Sequence, residues 1–426
     1  QAEDGIRDVE RSRGLGDVYK RQMLNIENSK ASLQSKGNFR EVGNRKQNKL
    51  PGSQILQDFF PDGKLPSEIQ SDLLLYYDAT NPFINPTAQV SVEISEFLRH
   101  LDLSSIEPTI LHFYKRPDRC KIDPKAMIKV TIYFKLKEFK RITDLIRDIN
   151  SKPMVRLNLG LKDELNYKTF WHFLNYRLKD LNQLLGAFII AIRLLLTEYG
   201  IVLGKHVAVD STPLPESRFD TNAEYNPYYK MYGYKAHFLL DTDLIVPLAR
   251  NTTKITANDN PYFLGLWLDA RNVGIKPEEV ALDGQYDSFE TYAFIEISGA
   301  KPWIHIPADA VLYDAEWLQI GENRIKKDKV ELQLWEAEQL GKNRRTASIL
   351  EYEECPDGWL ERHHRRAVIE GSFGHFKEWF GLKMLPKGLK KVAHHVDLVM
   401  LAILAVALTR VQHGITKNLT GKAGLI

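Results

Sequence analysis

The sequence predicts an α/β protein in which an all-helical N-terminal domain precedes a mixed sheet flanked by helices. Two observations predict this class. From about 91 to 200 the apolar residues recur at the three-to-four spacing of helices, whereas from 205 to 307 strand and helix patterns alternate. Gly200 ends the last long helix of the first region. We therefore expect one domain over 89–200 and a second over 201–426.

The clearest helix of the first region begins at Asp123 and Pro124, an N-cap residue followed by proline at the first helical position. The apolar spacing predicts shorter helices over 141–149 and 167–178, and a long one over 181–199. The first region is therefore expected to be a compact helical unit.

The helix over 167–178 offers basic side chains, among them Lys168 and Arg177. As the third member of a helical unit, it is a candidate to lie in a DNA groove. Packed three-helix units are also common as purely structural elements. Both interpretations stay open at this point.

The second region follows the order strand, strand, strand, helix, strand, helix, strand. Its strands are expected in HVAVDST, YKAHFLLD, LIVPLAR, EVALDG and KPWIHIP, and its helices over 261–273 and 288–297. Hairpin-linked strands combined with helix-linked crossovers give a mixed sheet covered by helices, which is the arrangement of the ribonuclease H fold. A charged, helix-prone stretch near 310–360 is interpreted as an insertion.

The N-terminal end is interpreted separately from the two domains. Residues 1–22 lack the apolar core of a signal peptide and resemble translated adapter sequence, so we treat them as a non-native leader and Met23 as the expected start. A native tail is the alternative. Residues 23–88 are expected to form a flexible basic arm and linker, which either contacts phosphate or is a solvated tail.

The composition is that of a globular protein: 426 residues, 43 % hydrophobic and 27 % charged. A net charge of +3 permits nucleic-acid binding without arguing for it. Cys120 and Cys355 stand alone, which excludes a disulfide framework and a structural zinc cluster. The most apolar stretches, 184–196 and 396–408, are shorter than the ~20 residues that span a bilayer, so we expect buried helices, no membrane partner and a cytoplasmic location.

Two aspartates follow runs of apolar strand residues. Asp210 comes after VAV, and Asp283 comes after EVAL and before Gly284, which allows a sharp turn. A carboxylate in such a place is paired, bound to metal or exposed at the end of the strand. Because these two strands are neighbours in a ribonuclease H sheet, we expect both carboxylates within reach of one divalent ion.

A third carboxylate is expected on the helix that follows the insertion. At about 100° per residue, Arg366, Glu370 and Lys377 fall on one helical face together with His363. A carboxylate between cations suits a site that binds both metal and phosphate. The plain alternative is an exposed face with an Arg–Glu pair at i, i+4.

Three segments carry a resemblance to a known family. HVAVDSTPL, ALDGQYDS and HHRRAVIEGSFGHFKEWFGL resemble the motif blocks of bacterial and archaeal insertion-sequence transposases of the Asp-Asp-Glu class. In the third block of that family Tyr, Arg, Glu and Lys recur at fixed spacing. Arg366, Glu370 and Lys377 keep this spacing, whereas His363 replaces the Tyr. The region from Ser91 to Arg177 is similar to the N-terminal domain of the family.

The resemblance implies a DNA transposase with a ribonuclease H-like catalytic domain, in which Asp210, Asp283 and Glu370 are the catalytic and metal-binding residues. It implies two Mg²⁺ ions, for which Mn²⁺ is a substitute, with Asp210 bridging them. Double-stranded DNA is the expected partner, as terminal inverted repeats and as target, bound by a homodimer. The expected DNA-phosphate contacts are Arg366, Lys377, Lys383 and Lys387.

Two other functions fit the same residues. A nuclease of this fold would cut without joining ends, and a transposase-derived DNA-binding protein would not cut at all. The presence of all three carboxylates disfavours the second, because a protein that only binds is free to lose them. The separate helical domain disfavours the first, because end recognition requires a sequence reader apart from the cutting site.

Overall fold

The computed structural model describes residues 93–306, 329–383 and 385–421, with the side chains of 329–337 left out. The expected leader and basic arm lie outside the described residues, as does the first part of the expected insertion. Residues 93–306 and the chain from 335 onward belong to one compact unit.

The first described region is helical, as predicted. Asp123 caps the helix Pro124–Leu136 by accepting a hydrogen bond from the Lys125 amide, with Pro124 in the first turn. The helix over 167–172 continues into a π-helical turn, Phe173–Arg177. The helices are α1 Ile94–Arg99, α2 Glu107–His112, α3 Pro124–Leu136, α4 Ile142–Ser151, α5 Pro153–Asn158, α6 Tyr167–His172 and α7 Asn182–Glu198.

A six-stranded mixed sheet follows. Its strands are β1 His206–Pro215, β2 Glu224–Asn226, β3 Met231–Asp241, β4 Val246–Lys254, β5 Glu279–Leu282 and β6 Lys301–Ile304. The order is β2-β3-β1-β5-β6, and β4 also pairs with β3. β1 and β4 run antiparallel to β3, whereas β5 runs parallel to both β1 and β6. This sheet confirms the predicted ribonuclease H-like arrangement and adds β2, which the sequence pattern did not predict.

Helices cover the sheet and complete the α/β class. They are α8 Asn260–Asn272, α9 Phe289–Ile297, α10 Lys329–Glu354, α11 Pro356–His363, α12 Arg366–Trp379 and α13 Leu389–Gln412. Ser288 caps α9 by accepting a hydrogen bond from the Thr291 amide.

The last helix, α13, is the central core helix of the described chain. It packs against α3, α7 and β4. At 24 residues it is longer than the sequence pattern predicted and meets the length and composition of a membrane span, yet 83 % of its most apolar window is buried inside the fold. The prediction of a buried helix is therefore confirmed by packing, although the argument from length was wrong.

Candidate active site

Asp210 and Asp283 lie side by side at one edge of the parallel strand pair. β1 and β5 are in register up to Val209 and Leu282. Asp210 directly follows Val209, and Asp283 directly follows Leu282. Asp210 Oδ1 accepts a hydrogen bond of 2.7 Å from the Ser211 amide, and Asp283 Oδ1 accepts one of 2.6 Å from the Gly284 amide. β1 continues to Pro215, so Asp210 marks the end of the pairing with β5 and not the end of the strand.

Helix α12 brings Glu370 to the same edge. Phe373 and Phe376 of α12 pack on Phe238, with ring centroids 6.0 and 5.8 Å apart. Phe238 is the β3 partner of Asp210 in the β1–β3 register, so both side chains point to the sheet face that α12 covers. Packing of the aromatic side of α12 therefore fixes its polar side beside Asp210.

Arg366 joins two of the three carboxylates. Its Nη1 lies 3.1 Å from Asp210 Oδ2 and 2.8 Å from Glu370 Oε1. The Arg–Glu pair expected from the helical spacing is thus present, and the same nitrogen also reaches the sheet. The Asp210 side chain is 14 % exposed and that of Glu370 is 53 % exposed, so the pair runs from the protein interior to solvent.

The electrostatics of the site favour a cation. Burial raises the pKa of Asp210 from 3.8 to about 6. The Ser211 amide and the Arg366 guanidinium lower it, whereas the charges of Asp283 and Glu370 raise it further. The three carboxylates are therefore close enough to affect one another, and a positive charge among them is stabilised.

The donor set fits a hard divalent cation, because carboxylate oxygens are the ligands that Mg²⁺ and Mn²⁺ prefer. Over the described residues, no three His, Cys, Asp or Glu side chains are yet grouped closely enough to hold a metal ion. The Arg366 guanidinium lies between Asp210 and Glu370 instead. Metal binding by all three carboxylates thus requires this side chain to move.

His363 does not share a helix with Glu370, so the expected common helical face was wrong in this respect. It ends α11, and α12 begins at Arg366. The imidazole is buried; its Nε2 donates a hydrogen bond of 3.2 Å to the Leu282 carbonyl, and its ring stacks on Trp359 with centroids 5.2 Å apart. Burial lowers the pKa of His363, so a neutral ring supports the strand just before Asp283.

The expected phosphate-binding lysines lie on or after α12. Lys377 is half-buried, and burial lowers its pKa. Lys383 Nζ is 2.7 Å from both Glu378 carboxylate oxygens, and Lys387 is exposed on the loop before α13. Lys387 is therefore the most accessible of the three for a nucleic acid.

The two expected DNA contacts of the helical region differ in their surroundings. Lys168 is exposed on α6, beside the exposed ring of Trp171. Arg177 donates a hydrogen bond of 3.1 Å from Nη1 to the Phe113 carbonyl, and its guanidinium lies 4.4 Å from the Tyr114 ring centroid. Arg177 thus already packs within the helical region, whereas Lys168 points to solvent.

A buried charge network behind Asp210 was missed by the sequence interpretation. Lys235 Nζ donates to Asp259 Oδ1 at 2.6 Å, and Ser211 Oγ donates to Asp259 Oδ2 at 2.7 Å. Lys235 is 5 % and Asp259 4 % exposed. Because the Ser211 amide also binds Asp210, this network fixes the backbone that orients Asp210. A lysine and a histidine within the apolar strand sequence YKAHFLLD were the available signal.

Asp287 lies in the segment between β5 and α9 and is bound by α10. Ser288 caps α9, and Asp287 accepts two hydrogen bonds of 2.8 Å from Arg345 of α10. The aspartate therefore ties α10 to the segment that connects β5 with α9.

Two family models match this chain. Residues 203–405 match the family model described as Transposase DDE domain, and residues 88–176 match the model described as Transposase domain (DUF772). No curated protein is significantly similar in sequence. The cryo-EM structure of the piggyBac transposase synaptic complex with hairpin DNA is similar with a TM-score of 0.26 and 9 % identity, over 82 % of this chain and 85 % of that chain.

Proposed function

This chain belongs to the DNA transposases of the Asp-Asp-Glu class, and we propose that Asp210, Asp283 and Glu370 are its catalytic, metal-binding residues. The observation that carries the proposal is the Arg366 bridge: one cationic nitrogen bonds both Asp210 and Glu370 at the edge where Asp283 follows β5. Carboxylates that already bind one cation, the Arg366 guanidinium, are suited to bind divalent metal cations as well.

The proposed reaction is cleavage of a DNA strand followed by transfer of its 3′-hydroxyl end to a second phosphodiester. Two bound Mg²⁺ or Mn²⁺ ions would stabilise charge on the attacking and leaving oxygens of an in-line displacement. Asp210, held by the Ser211 amide, and Asp283, held by the Gly284 amide, enter the reaction already oriented. Glu370 is the more exposed ligand, so it closes the site from the solvent side.

Arg366 is proposed to have two successive partners. Before metal binds, it neutralises Asp210 and Glu370. Asp210 and Glu370 would hold the divalent cations, and the Arg366 guanidinium would then bind a DNA phosphate, where bidentate contacts are strong. Lys377 lies on the same helix and is proposed to contact phosphate as well.

The proposed partners are double-stranded DNA with terminal inverted repeats and a target duplex, bound by a homodimer. Lys168 and the helix α6 are proposed to contact the repeat, and Lys383 and Lys387 the backbone near the cutting site. Phosphate contacts of this kind position the DNA without reading its sequence. A cytoplasmic location is part of the same proposal.

The deciding experiment compares Glu370→Gln with the unaltered chain on DNA that carries the sequences flanking this gene. We expect cleavage and strand joining to fall by at least about a thousandfold, because a neutral amide is a poor ligand for Mg²⁺. Binding to the same DNA should be retained, since that contact relies on cationic side chains. The matched control is Glu361→Gln, which alters an exposed carboxylate on α11.

Three outcomes separate the candidate functions. Cleavage with joining in the unaltered chain, lost in Glu370→Gln, supports the transposase reaction. Cleavage without joining identifies a nuclease, and binding without cleavage identifies a DNA-binding derivative. Full cleavage by Glu370→Gln would remove Glu370 from the site.

A further inference from the structure

Exposed aromatic side chains are concentrated between β1 and β3. We call residues 216–232 the aromatic hairpin. Four of its rings are exposed: Phe219 72 %, Tyr225 47 %, Tyr228 84 % and Tyr232 39 %. Large rings are normally buried, and a group of exposed ones marks a surface that contacts another molecule.

The aromatic hairpin is held in place by specific contacts. Asp220, 4 % exposed, accepts hydrogen bonds of 2.7 Å from the Tyr234 hydroxyl and 3.0 Å from the Asn222 amide. β2 pairs with the start of β3, and Asn226 Nδ2 donates to the Ile255 carbonyl at 2.9 Å. The rings are therefore presented by an ordered backbone, which reduces the entropy lost on binding.

A basic loop lies against this segment. The Gly388 amide donates to Asp220 Oδ2 at 2.7 Å, and the φ of Gly388, 95°, is one that glycine adopts readily. The loop and the start of α13 expose several lysines next to that contact. They are Lys387, Lys390 and Lys391.

A cation lies beside one of the rings. The guanidinium of Arg218 lies 5.1 Å from the Phe219 ring centroid. Glu224 of β2 is already paired with Lys254 and accepts a hydrogen bond from Thr256. Rings interleaved with cations are what proteins present to single-stranded nucleic acid, because bases stack on the rings while lysines contact the phosphates.

The aromatic hairpin follows directly on β1, the strand that carries Asp210. The rings of Tyr228 and Tyr229 are 5.0 Å apart between centroids. Burial raises the pKa of Tyr229, and the charges of Asp259, Asp210 and Asp283 raise it further. The strand that carries Asp210 thus leads into the segment that presents the exposed ring of Tyr228.

We propose that the aromatic hairpin is a stacking surface for unpaired bases of the DNA strand held at the active site. The lysines of the basic loop contact the phosphates of the same unpaired segment. This inference rests on the proposed function, because it takes the molecule at Asp210 to be DNA. Beyond the proposed function, the inference states that this DNA is bound with its two strands separated.

The test measures DNA binding by the full chain in EDTA, where no cleavage occurs. The double variant Phe219→Ala/Tyr228→Ala is compared with the unaltered chain on two probes: a fully paired duplex, and the same duplex with unpaired bases at one end. We expect a loss of at least about tenfold in affinity for the forked probe and no change for the paired probe, because stacking is lost for about two bases.

Two further variants control for folding and for ring chemistry. Tyr199→Ala removes a ring that is 50 % exposed outside the aromatic hairpin, and it should bind both probes normally. Tyr228→Trp keeps a stacking ring and should retain the affinity for the forked probe. Circular dichroism of all variants checks that the fold is unchanged.

The outcomes separate this proposal from the proposed function. Equal binding of the forked probe by the double variant and the unaltered chain overturns the stacking surface, even if the unaltered chain cuts DNA. A loss that is equal on both probes overturns it as well, because unpaired bases then play no part. A change in self-association without a change in DNA binding would identify the rings as a protein contact and also overturn it.

Discussion

Arg366 shares one guanidinium nitrogen between Asp210 and Glu370, so its removal leaves two carboxylates facing each other without a counter-charge. We expect Arg366→Ala to lower the free energy of unfolding of the metal-free protein by about 1–3 kcal/mol, because Asp210 loses a charged partner in a partly buried place. Chemical denaturation in EDTA measures this change.

The same variant should respond differently to metal. With no guanidinium to displace, Mn²⁺ is expected to bind Arg366→Ala several-fold more tightly than the unaltered chain, as measured by isothermal titration calorimetry. Arg365→Ala is the control, because Arg365 lies 3.8 Å from Glu279 and not among the three carboxylates. Weaker Mn²⁺ binding by Arg366→Ala would show that the guanidinium supports the metal site instead of competing for it.

Individual residues differ in how far the sequence could predict them. The juxtaposition of Asp210 and Asp283 could be predicted, because both follow apolar strands whose order the pattern gave. The Arg366 contact with Asp210 could not, because it depends on how α12 crosses β1. The same holds for Lys235 and Asp259, which pair only once β3 and the start of α8 are packed together.

At the scale of elements, the Lys235–Asp259 pair ties β3 and β1 to the start of α8. We expect Lys235→Met to cost about 3–5 kcal/mol in the free energy of unfolding, because the buried Asp259 carboxylate loses its cationic partner. The double variant Lys235→Met/Asp259→Leu should recover part of this loss. Chemical denaturation of the three proteins gives the comparison.

The matched control for this pair is Lys254→Met. Lys254 pairs with Glu224 at a solvent-exposed position, so its loss should cost less than about 1 kcal/mol. If Lys235→Met were as mild as Lys254→Met, the buried network would not hold β1, and the orientation of Asp210 would need another explanation.

Most elements were predictable because their apolar periodicity matched their burial. Asp123 and Pro124 start α3 where the cap pattern predicts it. β2 was missed because three residues, Glu224–Asn226, are too few to show a period. The break between α11 and α12 was missed because the residues around it carry no glycine or proline, and the helical spacing continues across them.

At the scale of the whole molecule, a buried lysine joins α3 to α13. Lys135 Nζ lies 2.9 Å from His395 Nδ1. Burial lowers the pKa of Lys135 from 10.5 to about 7. Burial and the charge of Lys135 lower the pKa of His395 to about 3. The imidazole is therefore neutral at the pH values at which Lys135 titrates. Helix α3 of the first region and the core helix α13 thus meet at Lys135, which changes charge near pH 7.

This contact predicts how stability depends on pH. Between the folded pKa of Lys135, about 7, and its unfolded value of 10.5, the unfolded chain binds the additional proton, so the free energy of unfolding rises with pH. Lys135→Met removes this contribution. We expect the free energy of unfolding of the variant, minus that of the unaltered chain, to be largest at or below about pH 7. The difference should be smaller at about pH 9, as measured by urea unfolding. A difference that is constant with pH would contradict the shift.

The order of the chain has a consequence for its synthesis. Glu370 lies on α12, and α13, which covers α7 and β4, emerges from the ribosome after it. A nascent polypeptide therefore displays its helical region and most of its sheet while it still lacks the third carboxylate. If Glu370 has the catalytic role proposed above, a product of premature termination before Arg366 would be unable to cut DNA. It would also leave uncovered the apolar surfaces of α7 and β4 on which α13 packs.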